Sequence, residues 1–328
     1  MPLGRMPLAR EKRKTSPCQT IPHTSFRPSP HFIVAKIEAD ANLFPGRSVR
    51  TGRRHSPRPT ESTATPRRTH RIMPSVINAR SSATTPDADA GDRTLGMMAK
   101  YWTPGRVKTR LARAIGTERS AELHHTFVIE LADRLGAVAD RRQIALDPFG
   151  HAGDVAAQIG DRWELTDQGP GDLGCRMSRW FGRHLSGATV TTGDAVTAVD
   201  RAILIGADCL TIGPADIDQA FERLRSHDVV LGPSRDGGYY LIGLRGGWDD
   251  RLAALFRDVA WGTAEVLATT MRHAEAAGLR VAQLPPREDV DTIDELRRLA
   301  AEVHATDVHG ADDPRMARLR NALADFRS

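Results

Sequence analysis

Residues 93 to 303 predict an α/β fold with a mainly parallel sheet. Three observations carry that expectation. Short apolar runs of strand length alternate with longer stretches of helical periodicity. Ala202 to Gly206 (AILIG) is apolar throughout, as a central strand buried on both faces should be. Pro-Gly, Gly-Gly and Asp-Gly turns punctuate the segments.

Taken in order, Thr94 to Ala99 is the first strand. It feeds Lys100 to Ala112 (KYWTPGRVKTRLA), the stretch around which the chain is organised. After its Pro104-Gly105 turn come Arg106, Lys108, Arg110 and Arg113, leading into a helix-like segment. A strand ending in such a loop brings backbone N–H groups and cations to one spot, which suits a polyphosphate. A solvated basic turn is the competing reading. The loop is not a Walker A motif, because GxxxxGK[ST] is absent. A helix is expected from Thr117 to Val138, with Thr117 as N-cap and Ala121, Leu123, Phe127, Val128, Leu131 and Leu135 as its buried stripe. His124 and His125 on that helix lack a partner at ligand spacing and read as structural.

Gln143 to Leu146 and Trp163 to Thr166 are the next strands. Leu173 to Leu185 is helical, with Leu173, Met177, Trp180, Phe181 and Leu185 on one face. After the AILIG strand, Pro214 and Asp216 suit the first turn of a helix. Asp228 to Gly232 and Tyr239 to Leu244 are strands. Thr263 to Ala277 is a helix stopped by Gly278. Arg280 to Leu284 is the last strand, and Thr292 caps a helix running to Val303. The polar tail, residues 304 to 328, holds one short helix around Arg315 to Phe326. Without internal repeat or linker, residues 93 to 303 read as one domain.

Residues 1 to 92 differ in kind. They hold 16 Lys and Arg against 7 Asp and Glu, a net charge of +9, and 12 of the 20 prolines. The remaining residues hold 30 against 34, a net of −4, so the chain's basic balance belongs to the leader. Such a segment buries too little apolar surface to offset its ordering entropy and reads as disordered. Its one apolar patch is His31 to Ile37. A nucleic-acid or membrane-surface tail, an Arg-rich targeting peptide and translation from an upstream start, with Met73 the true one, all account for it; the last is favoured because nothing in the leader is patterned. No apolar run is long enough for a transmembrane helix, and there is no secretory h-region. Cys18, Cys175 and Cys209 form neither a disulfide framework nor a zinc spacing, and a reducing cytoplasm is the simplest setting.

Several constellations could carry chemistry. Asp208 closes the AILIG strand, and ligands in open α/β sheets bind beyond the carboxyl ends of strands. A carboxylate there, facing a cationic loop, suits Mg2+ or Mn2+ held against a diphosphate; capping of the next turn is the blander alternative. Gly171-Asp172-Leu173-Gly174 and Arg176 form a turn into a helix, fit either for an anion or sugar hydroxyl or for plain capping by Asp172. In GPSRDGGYYLIGL, Gly237-Gly238 lets backbone approach a ligand, Asp236 could bond a hydroxyl, and Asp-Gly is also a strong hairpin signal. In REDVDT, Asp289 and Asp291 alternate in an extended segment and point the same way, as a second metal ligand or as caps. Trp261-Gly262-Thr263 lines an acceptor pocket or is structural. No Ser-His-Asp or Cys-His arrangement is present.

MAKYWTPGRVKTRLA, GDLGCRM, LIGADCL, VVLGPSRDGGYYLIGL, AWGTAEV and DVDTIDEL occur in the order seen in bacterial glycosyltransferase-like proteins associated with radical-SAM enzymes, sometimes called arsenosugar-biosynthesis glycosyltransferases. The chain resembles that family from Thr94 to Val303. The family is similar to GT-A glycosyltransferases and to nucleotidyltransferases of molybdenum-cofactor and phospholactate guanylyl transfer. The resemblance implies a Rossmann-like three-layer sandwich, a nucleotide or nucleotide-sugar donor and a divalent metal. It makes Lys100, Arg106, Lys108 and Arg110 the donor-phosphate loop and Asp208 the metal carboxylate, with Asp236 to Tyr239 near the donor sugar or acceptor. The chain departs from the pattern at Leu210, where the family has Pro, in an insertion over Ala188 to Asp200, and at Gly206, where a GT-A Asp-x-Asp would place a carboxylate.

The expectation is a metal-dependent transferase using an NDP-sugar to glycosylate a small acceptor. Asp208 and Asp291 are the expected metal ligands, and Asp236 or Asp291 would orient or deprotonate the acceptor. Gly171, Asp172, Arg176, Gly237, Gly238 and Tyr239 are the expected donor and acceptor contacts. The alternatives are nucleotidyl transfer from an NTP to a phosphorylated acceptor, or a catalytically idle nucleotide-binding protein. No membrane contact, and no nucleic acid for the folded domain, is expected.

Overall fold

A computed structural model describes residues 92–185, 190–192, 195–198, 200–305 and 314–326. The leader expected over residues 1 to 92 falls, but for Asp92, outside the described residues. In chain order the strands are β1 (Arg93–Lys100), β2 (Arg141–Asp147), β3 (Glu164–Asp167), β4 (Val190–Thr192), β5 (Ala195–Ala198), β6 (Arg201–Gly206), β7 (Val229–Pro233), β8 (Tyr239–Arg245) and β9 (Val281–Gln283). The helices are α1 (Thr109–Ile115), α2 (Thr117–Arg134), α3 (Ala152–Ile159), α4 (Leu173–His184), α5 (Pro214–Arg223), α6 (Asp250–Ala254), α7 (Val266–Ala276), α8 (Ile293–Ala305) and α9 (Pro314–Leu323).

Seven strands form one sheet in the order β3-β2-β1-β6-β8-β7-β9. All run parallel except β8, which lies antiparallel between β6 and β7. The Asp236-Gly237 turn makes β7 and β8 a hairpin. β4 and β5 form a separate antiparallel pair inside the expected insertion. The α/β, mainly parallel expectation therefore holds.

Helices cover both faces of the sheet. Leu123, Phe127 and Leu131 of α2 pack on one face with Phe221 of α5, Leu296 and Leu299 of α8, and Leu319 and Leu323 of α9. Met177, Trp180 and Phe181 of α4 pack on the other with Leu252 of α6 and Ala274 of α7. Along β6, Ile203 and Ile205 enter the first core while Ala202 and Leu204 enter the second. This is the two-faced burial that the AILIG run requires. Among the described residues, no helix is long and apolar enough to cross a membrane.

Local details differ from the sequence reading. Gly116, not Thr117, occupies the N-cap of α2, because α1 ends one residue earlier and leaves no room for a turn. That helix stops at Arg134, short of Val138. Helices α3 and α6 were not expected; each is short, and α6 buries only Leu252. Helix α7 begins at Val266 rather than Thr263.

The packing makes two outcomes testable. A Cβ on Gly96 of β1 would lie 2.3 Å from a ring carbon of Trp180 and 2.6 Å from a Leu204 methyl. Gly96→Ala should lower the stability measured in urea by about 1–3 kcal/mol, the usual cost of overpacking. His184 donates to Gln143 Oε1 (2.7 Å), which also accepts from the Trp180 indole, while the Gln143 amide donates to Glu164. Burial pushes the His184 pKa from 6.5 to about 4. The unfolded chain therefore binds a proton between those values that the folded chain refuses. Acidification from pH 6.5 to 4 should remove on the order of 2 kcal/mol, discounted for partial exposure. Chemical denaturation across that window should show a shallower pH slope in His184→Gln.

Candidate active site

Parallel strands deliver their carboxyl ends to one rim, and there the chain places its unusual chemistry. Lys100 ends β1, Asp147 ends β2, Asp208 follows β6, and Ser234 and Asp236 follow β7. Lys108 lies at the centre. Its backbone is left-handed (φ 45, ψ 43), a conformation that costs a non-glycine residue about 1–2 kcal/mol. Its side chain is only 2% exposed. The ammonium lies 2.5 Å from Asp208 Oδ1 and 3.2 Å from Asp291 Oδ1, and donates to the Val290 carbonyl at 2.6 Å.

Each partner is itself held. The Arg134 guanidinium, from the last turn of α2, donates to the carbonyls of Leu210 and Ile212 just beyond Asp208. The Val290 amide donates to the Asp208 carbonyl at 3.0 Å. Ser234 Oγ donates to Asp289 Oδ2 at 2.9 Å. The Glu295 carboxylate accepts from the amides of Asp291 and Thr292, both at 2.7 Å, while the Glu295 amide donates to Thr292 Oγ1. That reciprocal box fixes the start of α8. The REDVDT segment is thus laid across the ends of β6 and β7, and Asp289 and Asp291 serve different partners rather than one.

Charge follows geometry. Burial pushes the Lys108 pKa down, but Asp208 and Asp291 outweigh it and the net movement is up. Burial likewise pushes Asp208 up, and Lys108, His124 and Lys100 reverse it, leaving the carboxyl below its ordinary range. Asp289 is raised to about 7: burial dominates, the Ser234 bond opposes it, and the charges of Asp208 and Asp236 add to it.

His124 belongs to the same cluster. It is 5% exposed, its Nε2 bonds the Lys100 carbonyl at 3.1 Å, and its Nδ1 lies 3.9 Å from Asp208 Oδ1. Burial lowers its pKa to about 4, so the imidazole is neutral. Sequence reasoning missed it, because the helix carries no ligand spacing and only the fold brings α2 beneath Asp208. His125 instead bonds Gln158 and packs on Trp102.

The other expected site residues separate into groups. Lys100, Arg106 and Arg110 are exposed, as is Arg113, and none has an ion-pair partner among the described residues. Lys108 alone of the loop cations turns inward. Asp236 is exposed and accepts from the Gly238 amide at 3.0 Å. Gly237 has φ +90, and a Cβ there would lie 2.2 Å from the Ala264 carbonyl oxygen. Its close approach is thus to the chain entering α7, whose Leu267 amide bonds the Gly237 carbonyl. Tyr239 sets its ring edge-on to Trp261, and its hydroxyl is buried beside Thr270. Asp172 caps α4 through the Cys175 amide. Arg176 bonds Gly171 O at 3.0 Å, Asp147 Oδ2 at 2.8 Å and Gln168 Oε1 at 2.9 Å. Gly171, Asp172 and Arg176 brace α4 against the end of β2, and no bond among the described residues ties them to Lys108 or Asp208.

The donor set suits a hard divalent ion carried by a ligand. Among the described residues, no three His, Cys, Asp or Glu side chains converge on a metal position. Asp208 is nevertheless 45% exposed on its side chain and Asp291 38%. One or two carboxylates, with substrate phosphates completing the shell, is how Mg2+ is commonly held.

Comparison with known proteins bears on the fold and on the class of chemistry. The profile of a family described as an uncharacterized protein conserved in bacteria (DUF2064) matches residues 131–263. Over 145 residues the chain is 30% identical to a 3-phospho-D-glycerate guanylyltransferase of Phenylobacterium zucineum. That match covers 43% of this chain and 62% of the relative, so the chain spans less than two thirds of the curated relative's length. A crystal structure provisionally assigned as a nucleotide-diphospho-sugar transferase, from Desulfovibrio desulfuricans, is similar with a TM-score of 0.60 at 27% identity. It is matched over 72% of this chain and 99% of its own. The fold is therefore of the nucleotide-diphospho-sugar transferase type. The radical-SAM association implied by the resemblance finds no support in these matches.

Removing the central cation should expose what it holds. Lys108→Met leaves two carboxylates facing each other and should lower the urea-unfolding free energy by about 2–3 kcal/mol, below the usual cost of a fully buried pair because both acids are part-exposed. Added Mn2+ should recover part of the loss. An unchanged unfolding midpoint would mean that the cluster contributes nothing to stability.

Proposed function

We propose that the chain is a transferase acting on a nucleotide-activated donor, and that the group transferred is a nucleotidyl group. The observation that carries this is the rim itself. The buried Lys108 ammonium, paired with Asp208 and Asp291, belongs to a stretch that also carries three exposed cations, Lys100 at the end of β1, Arg106 in the loop and Arg110 in the first turn of α1, which have no ion-pair partner among the described residues. Such a pairing of carboxylate and loose cations fits a metal-bound polyphosphate. Mg2+ or Mn2+, bound by Asp208 and the donor's phosphate oxygens, would supply neutralisation of the charge that builds on the leaving group.

In this reading the loop cations grip the outer phosphates, and Lys108 keeps Asp208 and Asp291 fixed while they wait. An acceptor phosphate oxygen bonds to the α-phosphorus of an NTP, and the bond to pyrophosphate breaks. A phosphate nucleophile is already ionised, so no strong base is needed. This suits a site where Asp291 is held by Lys108 and Asp236 is open to solvent. The 3-phospho-D-glycerate guanylyltransferase likeness supports a phosphorylated small acceptor, and Gly206 supports nucleotidyl transfer over Asp-x-Asp glycosyl transfer. A cytoplasmic setting agrees with such substrates.

Glycosyl transfer from an NDP-sugar is the second reading, and the likeness to the Desulfovibrio protein favours it. Leaving groups separate the two. With Mn2+ or Mg2+, the purified chain should release pyrophosphate from GTP or CTP when phosphorylated three-carbon acids are supplied. Release of nucleoside diphosphate from NDP-sugars would establish the second reading instead. Asp208→Asn should reduce turnover at least ~100-fold, the scale of losing a transition-state charge contact. Metal-independent nucleotide binding without turnover of any donor would sink both readings.

A further inference from the structure

The proposed metal leaves one feature of the site unexplained. His124 is buried, yet its Nδ1 has no hydrogen-bond partner. A buried polar nitrogen without a partner costs free energy, and natural structures rarely leave one idle. Its other nitrogen does have a partner. Nε2 lies 3.1 Å from the Lys100 carbonyl, which can only accept, so Nε2 carries the proton and Nδ1 presents a lone pair. That lone pair faces Asp208 Oδ1 across 3.9 Å. Asp208 Oδ1 is already paired with Lys108 and its side chain is 45% exposed, so the buried Nδ1 is the atom left without a cation or donor.

We propose that His124 Nδ1 is a ligand, with Asp208, of the divalent ion that this site binds. The inference rests on the metal-dependent reading above and assigns to the ion a nitrogen that the carboxylate pattern alone would not supply. Three observations converge on it. A ligating imidazole characteristically donates its second nitrogen to a carbonyl or carboxylate, which fixes tautomer and ring direction, and the Lys100 carbonyl does so here. Two metal bonds of about 2.1 Å span at most about 4.2 Å, and 3.9 Å lies within that reach. Lys108, which holds Asp208 now, keeps the Val290 carbonyl and Asp291 as partners if Asp208 turns to the ion. An imidazole donor also shifts preference from Mg2+ toward Mn2+ and the later metals, because nitrogen is the softer ligand.

Electron spin-echo envelope modulation of Mn2+ bound to the full chain reads this directly. Inorganic pyrophosphate replaces the nucleotide, so that the added ligand carries no nitrogen. Wild type should show nitrogen-14 modulation that converts to nitrogen-15 when histidine is selectively labelled. His124→Ala should lose the modulation and bind Mn2+ about 10-fold or more weakly by titration, the scale seen when a ligand's environment is disturbed. The labelled wild type still reports on histidine coordination if the variant folds poorly. Bound Mn2+ with no histidine nitrogen coupling, or coupling that survives in His124→Ala, overturns the assignment and leaves the transferase reading standing. Failure of Mn2+ to bind at all overturns both this assignment and the metal-dependent reading.

Discussion

An ammonium ion with almost no contact with water sits where three distant parts of the chain meet. Lys108 is tolerable there only because Asp208, Asp291 and the Val290 carbonyl surround it. A lone buried charge would cost several kcal/mol, and the side chain would shed its proton instead. The carboxylates reverse that tendency and hold the lysine charged. Its left-handed backbone adds a further local cost that the surroundings must offset. Stability has been surrendered at one point, and that point is the rim where the open strand ends deliver cations and carboxylates together.

The constraint explains the topology around it. Asp208 can reach Lys108 because β6 lies directly beside β1 in the sheet. Asp291 can reach it because the segment before α8 is pinned twice, by the Arg287 backbone at the end of β7 and by Val290 at the Asp208 carbonyl. Arg287 also pairs with Asp216 in the first turn of α5 at 2.5 Å. From the other side, Arg134 anchors the loop after Asp208 to α2, the same helix that carries His124 beneath it. The cluster is therefore tied to helices on the same face of the sheet, not to flexible loops alone. A cluster so braced holds its charges in register, which is what the proposed electrostatic stabilisation of a leaving group would require.

The sequence made some of this legible. The AILIG run announced a central strand because five apolar residues in succession, closed by a polar strand end, suit burial on both faces. Asp208 followed from a strand end, and the loop cations from their crowding after Pro104-Gly105. What periodicity could not show was direction. Arg106, Lys108 and Arg110 look alike in the sequence, yet one turns into the protein and the others face water, because only the lysine meets carboxylates supplied about 100 and 183 residues away. Gly237 read as an opening for a ligand and is filled by Ala264, a contact made by tertiary packing. His124 was indistinguishable from a helix-face histidine, since its meaning lies in a carbonyl of β1 and a carboxylate beyond β6. Thr117 had the chemistry of an N-cap, but α1 ends so close that Gly116 caps both helices and Thr117 is already helical.

Gly206 brings the fold and the proposed chemistry into one line of reasoning. A Cβ at that position would meet nothing within 4 Å, so the space that a second carboxylate would enter is open. On the proposed reading the strand tip therefore offers the ion a single negative charge, Asp208, with a neutral imidazole beside it and Lys108 already drawing on the same carboxylate. A divalent ion so weakly neutralised by protein keeps much of its charge for the ligand it arrives with. An NTP carries more negative charge than an NDP-sugar and would complete the shell with phosphate oxygens, while Lys100, Arg106 and Arg110 meet the rest of the chain of phosphates. The residues outside the leader carry a net charge of −4, so the positive loop stands out locally, and on the proposed reading it would draw a polyanion to this rim.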